Sequence, residues 1–134
     1  YSLTNVMIGK NDPNVIAILD WELSTLGDPC ADFNYHCLQY TMNPKLADKE
    51  YCKNQGIPVI DDYVKMYSEK IEIDLTEEWD LYSAYNLFKL AGILQGILGR
   101  VRDGTAAHEN AAERASGVRN LSDKAWDLVE KNFL

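Results

Sequence analysis

Hydrophobic and polar positions in the N-terminal segment predict a β-hairpin. TNVMIG places Thr4, Val6 and Ile8 on one face of a strand, the cluster KNDPN is typical of a turn, and VIAIL forms a second strand. Because the second strand is apolar at every position, we expect other parts of the protein to cover both of its faces. It leads directly into Asp20, a carboxylate that is costly to bury unless a cation or several donors satisfy it.

Helical periodicity dominates the rest of the chain. Asp28 and Pro29 fit the N-cap and first position of a helix, because the aspartate can accept from an unpaired amide and proline needs no partner there. Thr76 is the predicted N-cap of the longest helix, which Gly104 can close. The predicted helices cover about residues 29–40, 59–70, 77–103 and 110–133, with a short helical turn in the polar connection 41–58.

The longest predicted helix is apolar over most of its circumference, which is typical of a helix in the middle of a helical subdomain. Gly92, Gly96 and Gly99 each cost such a helix about 1 kcal/mol relative to alanine, so they predict close approach of a neighbouring backbone. The whole pattern indicates an α+β fold, mostly α-helical with a short N-terminal β-hairpin.

Composition narrows the class of protein. The 134 residues carry a formal charge of −8 and their lysines and arginines are scattered, which argues against a nucleic-acid surface. The longest uncharged apolar run, Leu90 to Gly99, is too short to span a bilayer, so we expect no membrane segment. Three cysteines without metal-ligand spacing predict reduced, mostly buried thiols in a cytoplasmic protein.

Asn5 and Asp20 form the first candidate site. The start of one hairpin strand lies beside the end of the other, so we expect the two side chains to lie close together. An amide oxygen and a carboxylate suit a hard divalent cation that keeps other positions for water and phosphate oxygens. The alternative is that Asp20 only caps local amides at the end of a strand.

Several blocks in order resemble a known family. The segment YSLTN…VIAILDWELSTLGDPCADFNYH is similar to the region after the catalytic aspartate in the aminoglycoside phosphotransferase and choline kinase superfamily, the small-molecule branch of the protein-kinase-like fold. That pattern is His-Gly-Asp, four residues, Asn, a hairpin ending in Ile/Leu-Asp-Trp/Phe-Glu, then Gly-Asp-Pro and Asp-Leu-Ala. Phe33 and Asn34 depart from the last block. A second resemblance lies in the helices, in the segments YNLFKLAGILQGILGRVRDGTA and AAERA. They are similar to the C-terminal part of a subgroup that occurs both as stand-alone bacterial phosphotransferases and as the N-terminal kinase-like domain of some acyl-CoA dehydrogenases.

The resemblance implies a role for each acidic or amide residue. Asn5 and Asp20 would hold the Mg²⁺ ions that bridge the phosphates of ATP. Asp32 would anchor the catalytic loop, a role compatible with a favourable interaction with the helix dipole. Asp28 is assigned to N-capping rather than to catalysis. Glu22 would lie on the same side of an extended segment as Asp20, where it either orients the metal site or is a solvated loop acid.

In the family the general base precedes the matching asparagine by five residues, which places it immediately before Tyr1. We therefore interpret residues 1–134 as a single partial domain, a C-terminal lobe without its N-terminal lobe, with a metal-site hairpin and loop at 1–25 and a helical subdomain at 26–134. The resemblance implies a parent protein that transfers phosphate from ATP to a hydroxyl group of a small molecule, with hydroxyacyl thioesters as one acceptor class. We expect this chain alone to be inactive.

A second interpretation is a non-catalytic helical interaction module on a kinase-like scaffold, which the missing base and N-terminal lobe favour. Under either interpretation we expect the isolated chain to self-associate, because contiguous apolar surface around the first strand favours association. Tyrosines 63, 67, 82 and 85 are predicted to be mostly core and rim residues, some of which line an acceptor pocket in the intact fold.

Overall fold

The computed structural model describes residues 2–22 and 24–134. Tyr1 and Leu23, which belong to the predicted metal-site segment 1–25, lie outside the described residues.

The order of elements is a hairpin followed by helices. A 3-10 turn at Leu3–Asn5 precedes the strands β1 (Val6–Ile8) and β2 (Val15–Ile18). The helices are α1 (Pro29–Met42), α2 (Pro44–Ala47), α3 (Lys49–Asn54), α4 (Ile60–Ile71), α5 (Trp79–Arg102), α6 (Ala111–Arg114) and α7 (Val118–Phe133). The predicted α+β class, mostly helical with an N-terminal β-hairpin, is confirmed.

The hairpin brings the predicted site residues together. β1 and β2 are antiparallel, with Val6 opposite Ile18 and an irregularity after Met7. Beyond the strands, the Leu19 N–H donates to the Asn5 carbonyl at 2.7 Å, so the pairing continues to Asn5. The first strand is shorter than predicted, because Asn5 belongs to the 3-10 turn.

The prediction that β2 is covered on both faces is wrong. Val15 is 59% exposed, Ile16 63% and Leu19 49%. The reason is that the hairpin is a two-stranded sheet on which the described helices do not pack as a second layer. An apolar strand pattern indicates surface that favours burial, but it does not say which partner covers that surface.

α1 forms the centre of the helical part because it packs on two sides. Phe33 and Cys37 face a cluster with Val64 of α4 and Leu75 of the following connection. Leu38, the residue after Cys37, lies on another side of α1 and joins a second cluster between α1, α5 and α7, whose other buried members are Leu87, Ala91, Leu121 and Ala125. α4 and α7 therefore contact α1 or α5 through separate cores.

Aromatic rings hold α4 against α1. The Phe33 ring stacks on the Tyr67 ring with centroids 3.8 Å apart, and the Tyr63 ring meets it edge-on at 5.1 Å. The Tyr63 hydroxyl also lies 3.2 Å from Nε2 of His36. Phe33, which departs from the family pattern, thus fills the space between the two helices.

Several predicted helix ends are wrong. α5 begins at Trp79 rather than after Thr76, because the Thr76 amide and hydroxyl both donate to Asp74 Oδ1 and form a separate turn. The last predicted helix is divided into α6 and α7 by a turn that ends at Gly117. The connection after α1 contains two short helices, α2 and α3, which Asn43 and Asp48 cap in turn.

α5 lies in the middle of the helical part, as predicted, but less of its surface is buried than predicted. α5 does lie between α1 and α7, but Leu81, Tyr85 and Phe88 remain 47%, 56% and 44% exposed. The predicted close approach of a neighbouring backbone to the glycines of α5 is wrong for the part of the chain that the structure describes. A Cβ at any of positions 92, 96 or 99 would meet open space or only the end of a flexible arginine.

The three cysteines are free and buried, as predicted. Burial raises the pKa of the Cys37 thiol to about 12, so this thiol stays protonated and packs as an apolar side chain.

Within residues 2–22 and 24–134, no helix combines the length and the apolar character needed to cross a membrane.

We predict that the chain self-associates through its exposed hairpin. Ile16→Lys places a charge on the exposed apolar surface of β2 and should shift the chain toward the monomer, because charged residues on edge strands oppose pairing between molecules. Sedimentation velocity over a concentration series measures this shift.

Met66→Lys is the matched control, because Met66 is also exposed, at 57%, but lies on α4. A wild-type chain that stays monomeric at high concentration contradicts the prediction, and equal effects of both substitutions contradict the assignment to the hairpin.

Candidate functional site

An open cleft of about 800 Å³ lies between the end of the hairpin, the loop before α1, the first turns of α1 and the middle of α5. Asn5 and Asp20 line it from the hairpin, Asp32 and Tyr35 from α1, and Asn86 and Lys89 from α5. Of the residues predicted from the sequence, Asn5, Asp20, Asp28 and Asp32 share this cleft, whereas Glu22 does not line it.

Asn5 and Asp20 are in direct contact, which confirms their predicted proximity. Asn5 Nδ2 donates to Asp20 Oδ2 at 3.1 Å. Asp20 adopts a φ of 64°, a left-handed conformation that non-glycine residues rarely take but that aspartate tolerates. The backbone therefore leaves the extended conformation at the residue predicted to bind metal, and such local strain is common at functional sites.

The positive φ at Asp20 also removes the basis for the prediction about Glu22. That prediction assumed an extended segment, in which alternate residues point the same way. In the structure Glu22 lies in an exposed turn after Asp20. The exposure of Glu22 fits a solvated loop acid, and a role in orienting the metal site stays a prediction.

The chemistry of the Asn5–Asp20 pair fits a hard cation that has other ligands. One carboxylate and one amide supply oxygen ligands, which Mg²⁺ prefers, and Mg²⁺ is usually bound by few protein groups together with water and substrate phosphates. Among the described residues, no group of three or more histidine, cysteine, aspartate or glutamate side chains is placed to hold a metal ion. The pair is thus suited to a metal that a nucleotide and water help to bind.

Trp21 fixes the loop that follows Asp20. Its indole Nε1 donates to the Ile18 carbonyl at 2.6 Å, which folds the side chain back on the end of β2. The Trp21 carbonyl accepts from the amide and the hydroxyl of Ser24 at 2.9 and 2.7 Å. These bonds hold Trp21 and Ser24 together at the edge of the cleft, where Trp21 remains 64% exposed.

Asp28 caps α1, as predicted. Its Oδ1 accepts from the Cys30 amide at 2.8 Å, and its Oδ2 accepts from the Tyr82 hydroxyl at 2.8 Å. The Tyr82 hydroxyl is the main reason that the pKa of Asp28 lies below its ordinary value, followed by the Cys30 amide. The carboxylate therefore joins the N-terminus of α1 to α5, a contact that the sequence did not reveal.

Asp32 lies on the first turn of α1, is exposed, and faces the cleft. Its position fits both a favourable interaction with the helix dipole and support of the catalytic loop. The second role stays a prediction.

Asn34 and Asn86 form a buried amide network between α1 and α5. Asn86 Nδ2 donates to the Ala31 carbonyl at 2.8 Å and to Asn34 Oδ1 at 3.0 Å. Asn34 Nδ2 donates to Ser83 Oγ at 2.9 Å. Each asparagine is only 1% exposed, so these bonds satisfy groups that water does not reach. The network fixes α5 beside the helical turn that carries Asp32.

Lys89 and Tyr35 meet at the edge of the cleft. The Lys89 ammonium lies 5.2 Å from the centroid of the Tyr35 ring, within the range of a cation–π interaction. Sequence analysis missed both residues as well as Asn86. A lone asparagine among the apolar positions of α5 was a usable signal for Asn86, whereas Lys89 and Tyr35 meet only because α1 and α5 pack together.

Residues 1–85 match the phosphotransferase enzyme family. The chain belongs to this family. The match includes Asn5, Asp20 and Asp32, together with the loop and helix that position them. The resemblance to the aminoglycoside phosphotransferase and choline kinase superfamily is thus confirmed.

Curated relatives match nearly the whole chain. Acyl-CoA dehydrogenase family member 10 of Mus musculus is 34% identical over 98% of this chain and 13% of its own length. Acyl-CoA dehydrogenase family member 11 of Homo sapiens is 31% identical over 99% of this chain and 18% of its own length. A probable acyl-CoA dehydrogenase of Arabidopsis thaliana is 32% identical over 97% of this chain and 16% of its own length.

The chain therefore spans less than a fifth of the length of these relatives. No solved structure shows a significant match to the chain.

Asn86→Ala is expected to lower the free energy of unfolding by about 1–3 kcal/mol, because it leaves buried acceptors on Ala31 and Asn34 without their donor. Chemical denaturation followed by circular dichroism measures the change. Asn120→Ala, at an exposed position of α7, is the control and should change stability little. Equal effects of the two substitutions would show that the network contributes nothing.

Tyr82→Phe is expected to raise the pKa of Asp28 toward its ordinary value, because the main group that lowers it is lost. A carboxylate whose pKa is lowered by folding stabilises the folded state above its unfolded pKa, and this contribution is lost as the pH falls through the folded pKa. The stability difference between wild type and variant should therefore shrink in acid.

A ¹³C NMR titration of the Asp28 carboxyl measures this pKa directly. Tyr40→Phe serves as the control, because the Tyr40 hydroxyl donates to the Pro58 carbonyl instead. An unchanged Asp28 pKa in Tyr82→Phe would refute the assignment.

Proposed function

We propose that the protein containing this chain is an ATP- and Mg²⁺-dependent phosphotransferase that acts on a hydroxyl group of a small molecule. The observation that carries the proposal is the contact of Asn5 with Asp20 at 3.1 Å, at the edge of an open cleft, in a chain of the phosphotransferase enzyme family. A nucleotide and a small-molecule acceptor would share this cleft, and its volume of about 800 Å³ lies in the range of small-molecule sites.

Asp20 and Asn5 would hold Mg²⁺ through one carboxylate oxygen and one amide oxygen. The ion, when bound, supplies positive charge that offsets the charge on the transferring phosphoryl group. The chain's own contribution is to hold these two oxygens in place. The hairpin pairing positions Asn5, the left-handed backbone positions Asp20, and the Trp21 loop closes the site behind them.

The two aspartates of α1 would support the site without taking part in the chemistry. Asp28 holds the start of α1 through Cys30 and Tyr82, and Asp32 follows one turn later at the cleft. We place the general base immediately before Tyr1 in the parent protein, with the residues that grip the nucleotide further upstream in an N-terminal lobe. On this proposal, residues 1–134 are part of one kinase-like domain and are inactive alone.

A hydroxyacyl thioester is the acceptor class that we favour. Its support is that the relatives are named as members of the acyl-CoA dehydrogenase family. A phosphotransferase joined to such an enzyme would act on a related thioester that carries a hydroxyl group.

The alternative function is a non-catalytic helical interaction module. The exposed apolar surface of the hairpin favours it, since such a surface suits association with another protein. Magnesium-dependent nucleotide binding distinguishes the two functions.

The test uses the full-length protein and isothermal titration calorimetry with a non-hydrolysable ATP analogue, with and without Mg²⁺. Asp20→Ala should weaken magnesium-dependent binding at least about tenfold, the lower end of what even indirect partners of a metal contribute. Asp12→Ala is the matched control, because Asp12 lies in the hairpin turn outside the cleft lining, where its carboxylate accepts from Asn14 Nδ2 at 2.7 Å.

Wild-type protein that binds the analogue equally well without Mg²⁺ would refute the metal site. Wild-type protein that does not bind the analogue at all would refute the phosphotransferase proposal and favour the interaction module. Asp20→Ala that binds like wild type would refute the role given to Asp20.

A further inference from the structure

The α5 wall of the cleft carries a cation that the proposed chemistry does not use. Lys89 lies on α5, whereas Asn5 and Asp20 lie on the hairpin. Asn86, one turn before Lys89, is bonded to the Ala31 carbonyl, which fixes this part of α5 relative to α1. The packing of the two helices therefore fixes the position of the lysine at the cleft.

The Lys89 ammonium is oriented but not neutralised. It lies 5.2 Å from the centroid of the half-buried Tyr35 ring, and its side chain is exposed. The ion pairs found within residues 2–22 and 24–134 do not include Lys89. A cation–π contact is weaker than a charge-assisted hydrogen bond, so the ammonium can keep its place over the ring and still donate to an anion.

Charge in the cleft is divided between its walls. Lys89 is the basic residue among the described residues that line the cleft, and Asp20, Asp28 and Asp32 are the acidic ones. The carboxylate of Asp28 already accepts from Tyr82 and the Cys30 amide. Because the chain carries a formal charge of −8, an anion that enters the cleft meets local attraction mainly at Lys89.

An aromatic surface lies next to this cation. Tyr85 is one turn before Lys89 on α5, lines the same cleft and is 56% exposed. Together Tyr85 and the Lys89–Tyr35 pair offer an apolar contact beside a positive charge. That combination suits a molecule with a carbon chain and an anionic group.

We propose that Lys89, held over Tyr35, binds an anionic group of the acceptor and thereby selects acceptors that carry a phosphate or a carboxylate. The proposal rests on the proposed function, since it names the substrate class for the same cleft. It assigns Lys89 to specificity, while Asp20 and Asn5 serve the nucleotide and its metal.

The experiment compares nucleotide and anion binding in the full-length protein. Calorimetry first measures binding of Mg²⁺ with a non-hydrolysable ATP analogue. With the analogue saturating, coenzyme A is titrated as a phosphate-bearing probe and 3-hydroxybutyrate as a carboxylate-bearing one. Lys89→Gln should weaken binding of the better probe by about tenfold or more, while Lys89→Arg keeps it within about threefold. Higher salt should reduce the difference between wild type and Lys89→Gln.

Lys65→Gln is the matched control, because Lys65 is an exposed lysine on α4 and outside the cleft lining. Weakened anion binding with unchanged analogue binding in Lys89→Gln supports the proposal. Equal weakening of both would place Lys89 at the nucleotide phosphates and overturn it. The Lys89 proposal is also overturned if neither probe binds the wild type, or if Lys89→Gln binds the probes as the wild type does. In both cases, intact binding of the ATP analogue leaves the phosphotransferase proposal standing. Loss of analogue binding in the wild type instead overturns the proposed function itself.

Discussion

The cleft depends on two buried asparagines that hold α1 and α5 in one register. Asn86 satisfies the Ala31 carbonyl and Asn34 Oδ1, and Asn34 in turn reaches Ser83. A shift of either helix would leave these buried amides without partners, which costs more than the small net gain of any one bond. Directional bonds in an otherwise apolar contact therefore decide which turn of α5 faces Asp32.

α1 contacts both hydrophobic cores of the helical part, so its position affects both of them. Its Phe33 packs on α4, and its Leu38 packs on the core shared with α5 and α7. Its N-terminus is fixed by Asp28, which also binds Tyr82 of α5. The acidic end of α1 is thus held rigidly, as the site proposed here for phosphates and a metal would require.

The conformation of the hairpin is set by strand pairing rather than by helix packing. Its geometry follows from backbone pairing between its own strands, which brings Asn5 to Asp20. Its apolar residues nevertheless remain exposed at Val15, Ile16 and Leu19. The site is therefore formed by one element that is locally determined and another that is fixed by long-range packing.

Sequence analysis was reliable where the interaction is local. The cap by Asp28 and the contact of Asn5 with Asp20 follow from neighbouring residues or from one hairpin. It failed for Thr76, because Asp74 competes for the same amide and hydroxyl. It also failed for the α5 glycines, since a small residue permits close approach but does not supply the neighbour.

The amino-acid sequence by itself determined the family, the mostly helical α+β class and the pairing of Asn5 with Asp20, because ordered motifs and strand pairing are local along the chain. Only the tertiary structure decided that Asn86 fixes α5 to α1 and that Lys89 lies over Tyr35. Both contacts join residues about fifty positions apart, as the spacing of 52 between Asn34 and Asn86 illustrates. Periodicity tells which side of each helix is apolar, but the relative height and rotation of two helices are set by how their side chains interlock.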